Sequence, residues 1–326
     1  MITQTPKEGW QSSRLPKVSI VILNWNSYEV TRDCLLSLQK LDYSNLEIVL
    51  VDNGSVDSSW ERLATEFPEV RLLRNKDNLG FTGGNNAAIR DVLLRGTDYL
   101  LLLNNDTIVA ETFLRELIQV AEKAPEIGLL NPKILYYEPS DRIWYAGGEY
   151  RLGWSFAKHV GAGQRENGKY SETREVSFTT GCALLIRAEA FAKVGLLDDS
   201  FFFGFEDLDW CVRARKAGYK AFYVPSALVW HRDGYVTKKN FGISAKDFYH
   251  FRNSVLLARK HLRAWHWPMF MVSMARHLIY RTAGYLIRIE PHRVRALYAG
   301  LWSGCKIPVA STTKVSQFST DHTKIR

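Results

Sequence analysis

Cysteine is scarce: Cys34, Cys182, Cys211 and Cys305 are the four in 326 residues, and they lie far apart with no C-x-x-C pair. That excludes a zinc knuckle and a disulfide framework, and a reducing, cytosolic setting is expected. Long apolar runs are lacking too. In the C-terminal part the longest uncharged stretch, Ala264 to Ala275, has 12 residues, whereas a membrane span needs roughly 20. No apolar segment follows Met1, so no secretion signal is expected, and residues 1–16 read as a loose polar tail. There is no internal repeat and no low-complexity tract. What is present is 46% hydrophobic and 13% aromatic residues with a net charge of +9, a composition that builds a core and excludes disorder, collagen and coiled coil.

The charge is uneven. Up to His231 there are 26 basic and 30 acidic side chains; beyond it there are 17 basic and only four acidic. Trp265, Trp267, Tyr280, Tyr285, Tyr298 and Trp302 interleave with these cations. Such a mixture suits an anionic membrane surface better than nucleic acid, so a peripheral membrane contact is expected and no nucleic acid partner.

From Lys17 onward, short apolar runs (Val18–Leu23, Leu46–Val51, Val70–Leu73, Tyr99–Leu103) alternate with helical patterns at 30–38, 60–67, 87–94 and 113–121. The alternation predicts an α/β domain with a mostly parallel central sheet and helices on both faces. Residues 17–235 form this domain, 236–310 a basic amphipathic helical extension, and 311–326 a frayed tail. In the extension the patterns run through 248–262 and, after Pro268, 269–289; His277, Arg281 and Arg288 read as a basic stripe beside apolar residues. Ligands of parallel sheets bind beyond the carboxyl ends of the strands, so the residues that follow each run carry the interest.

Those residues are polar: Asn24 and Asn26 after the first run, Asp52 and Asn53 after the second, Asn104-Asn105-Asp106 after the fourth. Asp52 can accept from a nucleobase imide or a ribose hydroxyl, while Ser55 and Asp57 suit a helix cap. The segment NLGFTGGNN (78–86) is either a phosphate-cradling loop or a tight turn; it is not G-x-G-x-x-G, but Asn78, Gly83, Asn85 and Asn86 at a helix start offer backbone and amide donors. Asp106, beyond a wholly apolar strand, calls for a hard cation or closes an Asx-turn. In FFFGFEDLDW (201–210) the carboxylates Glu206, Asp207 and Asp209 are either ordinary first-turn helix charge or, behind an apolar collar that raises carboxylate basicity, a general base. His231 ends another apolar run, as a core group or a ligand.

Taken in order, VSIVILNWN (18–26), VDNGSVDSS (51–59), NLGFTGGNN, LNND (103–106), Thr180-Gly181-Cys182, FFFGFEDLDW and VWH (229–231) resemble the inverting family 2 glycosyltransferases of the GT-A fold, most closely their bacterial rhamnosyltransferase-like branch. The resemblance covers residues 17–235. It implies that Asp52 contacts the nucleotide base, that Asp106 is the retained carboxylate of a D-x-D motif holding Mg²⁺ or Mn²⁺ with His231, and that Asp207 or Glu206 is the base. It places Asn24, Asn26, Asn53, Asn78, Gly83, Asn85 and Asn105 on the donor side and Phe205, Asp209 and Trp210 toward the acceptor. The sequence departs from D-x-D at Asn104, where an amide replaces the first carboxylate and lowers the expected metal affinity. The implied substrates are a nucleotide-diphosphate sugar, dTDP-L-rhamnose or a UDP-hexose, and a saccharide acceptor on polyprenyl diphosphate; the implied location is the cytoplasmic face of the plasma membrane. A nucleotidyltransferase would carry Gly, Arg and Lys straight after the first strand, where Asn24-Trp25-Asn26 stands. A saccharide-binding module without catalysis is the remaining alternative.

Overall fold

The computed structural model describes residues 15–154, 156–235 and 242–309. The expected tails lie outside them, apart from Leu15 and Pro16. Chain order in the first part is β1 (Val18–Asn24), α1 (Tyr28–Leu38), β2 (Leu46–Asn53), α2 (Ser59–Glu66), β3 (Arg71–Asn75), α3 (Gly80–Arg95), β4 (Tyr99–Asn104), β5 (Thr107–Val109) and α4 (Phe113–Ala121). There follow β6 (Ile127–Tyr136), β7 (Ile143–Tyr145), β8 (Gly148–Glu149), β9 (Lys158–His159), β10 (Arg174–Val176), β11 (Ala183–Arg187), α5 (Ala190–Val194), α6 (Glu206–Lys216) and β12 (Lys220–His231).

The large sheet has the order β10-β12-β6-β11-β4-β1-β2-β3, with β5 on β12 and β7 on β6. Its first half, β4-β1-β2-β3, is wholly parallel. Leu100, Leu101, Leu102 and Leu103 of β4 are buried on both faces of the sheet, each contributing roughly 1.5–3 kcal/mol of apolar burial. In α1 the buried positions Val30, Thr31, Cys34, Leu35 and Leu38 form one stripe at helical spacing, which docks that helix on the sheet.

The second half departs from the parallel pattern, because β11 runs antiparallel between β4 and β6. That reversal sets the turn Thr180–Cys182, which enters β11, beside the carboxyl end of β4. The strand β5 pairs antiparallel with the end of β12, with Thr107 opposite His231. Residues at the ends of β4, β11 and β12 thereby meet at one edge of the fold.

Among the described residues three α-helices follow: α7 (Ile243–His261), α8 (Trp267–Ile287) and α9 (Pro291–Lys306). The sequence pattern showed two of these; Pro291 opens the third by occupying its first turn. A Cβ on Gly300 would lie 2.3 Å from the Phe248 carbonyl oxygen and one on Gly304 2.5 Å from that of Arg252, so α9 rests directly on the α7 backbone. The helices enclose a second apolar core of Phe251, Val255, Ala258, Phe270, Met274, Tyr285 and Leu297, while Leu256 and Leu257 of α7 belong to the main core. The buried Asp247 ties the three together through Arg281, Tyr285 (2.7 Å) and Arg293 (2.7 Å).

The expected basic stripe is therefore broken. Arg281 turns to Asp247, and His277 packs its ring against Phe156, His250 and Phe251. The outward face instead carries Met271, Val272, Ile279, Tyr280, Leu286 and Ile287. Among the described residues no helix is long and apolar enough to cross a membrane.

Candidate active site

Asp106, His231, Glu206 and Asp207 line one cavity of about 240 Å³, together with Thr180, Gly181 and Phe203. A second cavity of about 100 Å³ adjoins it, sharing Phe81, Asn104, Asp106 and Phe203 and extending past Asn105 to Trp25, Asn53 and Asn78. The four groups thus come from the ends of β4 and β12 and the start of α6.

Asp106 Oδ1 lies 3.2 Å from His231 Nε2, and both side chains are nearly buried. Burial by itself lowers the imidazole pKa, but Cys182 and Asp106 outweigh it and hold it well above the ordinary histidine range. His231 Nδ1 is buried without a hydrogen-bond partner. Once the imidazole has given up its proton, a carboxylate oxygen and an imidazole nitrogen on one cavity wall would suit Mg²⁺ or Mn²⁺, so cation binding there would release a proton.

The second pair is held by backbone. Asp207 Oδ2 accepts from the Gly181 N–H (2.8 Å) and Oδ1 from the Leu208 N–H (2.7 Å). Burial pushes the Asp207 carboxyl up to about 6 against these two donors. Glu206 is raised well above the carboxylate range by burial and by the adjacent Asp207, and its Oε2 has no hydrogen-bond partner. Burial thus raises both carboxyls, and at Glu206 the neighbouring charge of Asp207 adds to the rise.

The loop before them is conformationally costly. Phe202 (φ 58°), Gly204 (φ 80°) and Phe205 (φ 72°) all lie in the left-handed region, on the order of 1–3 kcal/mol for each non-glycine residue. It is anchored on α3, where the Phe81 N–H donates to the Phe202 carbonyl at 2.6 Å. Gly80 permits this approach: its φ is +72° and a Cβ there would lie 2.5 Å from the same carbonyl oxygen.

The donor-side candidates divide. Asn53, Asn78, Asn105 and Asp106 line the cavities. Asn24 does not: it is wholly buried, donating to Asp52, Ser55 and Ser59 and accepting from Thr31. Asn26 accepts from the Val56 N–H (2.9 Å) and so pins one strand-end loop to the next. Asp52 is enclosed by Asn24, the Ser55 N–H and Arg74 (3.4 Å), beneath the loops and off the cavity wall. Ser55 caps no helix; its hydroxyl accepts from the Asn26 N–H, and Asp57 accepts from Ser59 at the start of α2. Gly83 and Asn85 lie inside α3, which begins at Gly80 and not near Ala87, and Asn85 donates back to the Phe81 carbonyl. The NLGFTGGNN segment is therefore mostly helix: a Cβ on Gly84 would sit 2.6 Å from Leu23, and the small residue lets α3 approach β1.

None of the three acceptor-side candidates lines the cavity. Trp210 is fully buried and donates to the Gly195 carbonyl (2.9 Å). Asp209 is fully buried and bound to Arg213 (2.8 Å), Lys260 (2.7 Å) and His261 (2.8 Å). Phe205 packs edge-on against His250. The physical reason is packing on two sides: α7 closes over Asp209 and Phe205 through Lys260, His261 and His250, and α5 covers Trp210 through Phe191. In exchange the cavity gains residues the sequence reading passed over: Trp144, whose ring meets His231 edge to face at 4.7 Å, and Lys246 of α7. A lone lysine in a basic extension carries no sequence signal that would single it out. Asn131 was also missed; buried in β6, it bonds to both the N–H and the carbonyl of Thr180 and fixes the Thr180–Cys182 turn.

A family model, Glycosyl transferase family 2, matches residues 19–195. The chain belongs to this family. Its members among similar sequences include the N-acetylglucosaminyl-diphospho-decaprenol L-rhamnosyltransferase of Mycobacterium tuberculosis, 29% identical over 255 residues, covering 72% of this chain and 82% of that one. The dTDP-rhamnosyl transferase RfbF of Shigella flexneri is 25% identical over 251 residues, covering 74% and 79%. An uncharacterized protein of Sinorhizobium fredii, y4gI, is 30% identical over 69% of this chain, which spans only 25% of its length.

Solved structures share the fold of this family 2 glycosyltransferase. Staphylococcus aureus TarS in complex with UDP-GlcNAc superposes with a TM-score of 0.60 at 15% identity, covering 88% of this chain and 80% of that one. The mannosyltransferase PcManGT of Pyrobaculum calidifontis, in complex with GDP-Man and Mn²⁺, gives 0.54 at 15% identity, covering 92% and 90%. The family 2 glycosyltransferase is rhamnosyltransferase-like in its relatives and GT-A in its fold, as the order of its motifs implied.

Proposed function

We propose that the protein transfers L-rhamnose from dTDP-L-rhamnose to a saccharide carried on polyprenyl diphosphate, with inversion at the anomeric carbon. The observation that carries this reading is the convergence of Asp106 and His231 with Glu206 and Asp207 on one cavity. The donor and acceptor classes follow the names of the Mycobacterium and Shigella relatives.

In this reading the small cavity beside Asn53, Asn78 and Trp25 takes the nucleotide end of the donor, and Asp106 lies where the diphosphate begins. Asp207, ionised at neutral pH, accepts the proton of the acceptor hydroxyl as its oxygen attacks the anomeric carbon; the sugar–phosphate bond breaks and the nucleoside diphosphate leaves with its electrons. Glu206 stays protonated and keeps a second negative charge away from the incoming alcohol. Asp106 and His231 would hold Mg²⁺ or Mn²⁺, which supplies Lewis-acid neutralisation of the leaving diphosphate. Lys246 adds a fixed cation to the same cavity. The outward apolar residues of α8, flanked by the arginines of the extension, lie on the cytoplasmic leaflet beside the lipid-linked acceptor.

Release of nucleoside diphosphate, measured with dTDP-L-rhamnose and with UDP-hexoses, with and without Mn²⁺, tests the reading. Turnover of dTDP-L-rhamnose that requires Mn²⁺ and a polyprenyl-linked saccharide is the expected result. Selective turnover of a UDP-hexose replaces the donor, and binding of every donor without turnover rejects catalysis.

A further inference from the structure

Helix α7 reaches into the catalytic loop with two consecutive side chains. Asn253 is fully buried, and its Nδ2 donates to the carbonyls of Phe201 (2.9 Å), Phe203 (2.9 Å) and Gly204 (2.6 Å). Its Oδ1 accepts from Arg252 Nη1 at 2.8 Å. A guanidinium only donates, so the amide can be oriented only with its NH₂ toward the loop. Arg252 also donates to the carbonyls of Ser200 (2.6 Å) and Phe201 (3.1 Å). Four carbonyls of the 200–204 loop, those of Ser200, Phe201, Phe203 and Gly204, are thus gathered by two residues about fifty positions further along.

This loop is the one with two left-handed phenylalanines, and such a conformation persists only where its surroundings over-determine it. Phe203 and Gly204 line the cavity, and Asp207 follows one turn later. The amide of Asn253 holds the carbonyls of Phe203 and Gly204 from outside the loop.

We infer that α7 is part of the catalytic apparatus and that Asn253 is a positioning residue, fixing the 201–205 loop so that Asp207 meets the acceptor hydroxyl. The inference rests on the assignment of Asp207 as base. Positioning errors of about 1 Å cost on the order of 100-fold in rate, so Asn253→Ala in the full chain is expected to lower kcat by about 10- to 100-fold while the KM for the donor stays within about threefold.

A double-mutant cycle separates this role from simple loss of folded protein. Turnover of dTDP-L-rhamnose with Mn²⁺ is measured for Asn253→Ala, Asp207→Asn and the pair, with melting temperatures recorded for each. If Asn253 acts through Asp207, adding Asn253→Ala to Asp207→Asn costs less than about threefold. Should Asn253→Ala not yield folded protein, Asn253→Ser, which keeps one donor, is carried through the same cycle and read in the same way. Equal losses in both backgrounds, or near-full kcat for the single Asn253 variant, overturn the positioning role. Full turnover by Asp207→Asn removes the base assignment itself and the inference with it.

Discussion

His231 Nε2 stands 3.2 Å from Asp106 Oδ1, although 124 residues separate them in the chain. The contact exists because β5, which follows Asp106 directly, pairs antiparallel with the last residues of β12. Removing either partner changes what the other can hold. Asp106→Asn and His231→Gln are each expected to raise the Mn²⁺ concentration for half-maximal turnover by at least about tenfold, the loss that even an outer-shell partner brings. Metal titration of the rate checks this; an unchanged Mn²⁺ dependence in both variants rejects the pair as ligands.

Asp207 and Glu206 are adjacent carboxyls with different expected losses. Asp207→Asn removes the proton acceptor and should lose about 10²- to 10⁴-fold in kcat while still binding donor. Glu206→Gln replaces a protonated acid by a neutral amide of the same shape, so its loss at pH 7 is expected to stay within about tenfold. Single-turnover rates and donor titrations of the two variants decide it, and a reversed order assigns the base to Glu206.

The carboxyl of Asp207 is raised to about 6, and it serves as base only when ionised. The kcat/KM profile should therefore fall on the acid side with an apparent pKa near 6. Stability runs the other way. Glu206 and Asp207 both have folded pKa values above their unfolded ones, so their contribution is present in acid and lost as pH rises through the folded values. Glu206→Gln cannot ionise, and its melting temperature should gain on the parent between pH 5 and pH 8; a constant difference across that range contradicts the raised Glu206 pKa.

Asp209 serves stability. Its carboxylate is held well below the usual range; burial works against this, but His261, Arg213 and Lys260 outweigh it. Asp209→Ala takes one carboxylate from Arg213, His261 and Lys260 at once, leaving Lys260 only Asp198, and should cost about 3–5 kcal/mol in urea denaturation. An acceptor-contacting residue would instead raise the acceptor KM and leave the unfolding midpoint in place.

The exposed face of α8 carries Ile279, Tyr280, Leu286 and Ile287, and Ile289 follows it. With each nearby Lys or Arg contributing on the order of 1 kcal/mol at an anionic surface, the protein should float with phosphatidylglycerol vesicles at low salt and much less with phosphatidylcholine. Ile287→Asp with Ile289→Asp should weaken flotation and leave turnover of a water-soluble acceptor intact. Equal flotation with both lipids removes the electrostatic part of the contact.

Much of the fold was legible because buried parallel strands read as unbroken apolar runs and their helices as periodic ones: β1, β2, β4, α1 and α4 lie within a residue or two of the expected places. The start of α3 was not legible. Gly80, Gly83 and Gly84 are weak helix formers, and tertiary packing against Leu23 and Phe202 overrode that propensity. Nor was α9, because Pro291 signals a stop and a start equally well.

The sequence alone determined which residues end the strands, and therefore that Asp106 and His231 lie at a carboxyl edge; the Glu206-Asp207 pair, which opens α6, was brought there only by the tertiary structure. It could not determine which strand-end residues face the crevice. Asn24, Asn26 and Asn85 read as ligands and serve as internal ties, since an amide looks the same in sequence whether its partner is a substrate or a neighbouring loop. The lateral order of the sheet and the seating of α7 were decided only in three dimensions. Those long-range contacts brought His231 to Asp106, closed Asp209 off from solvent, and set Asn253 beneath the catalytic loop.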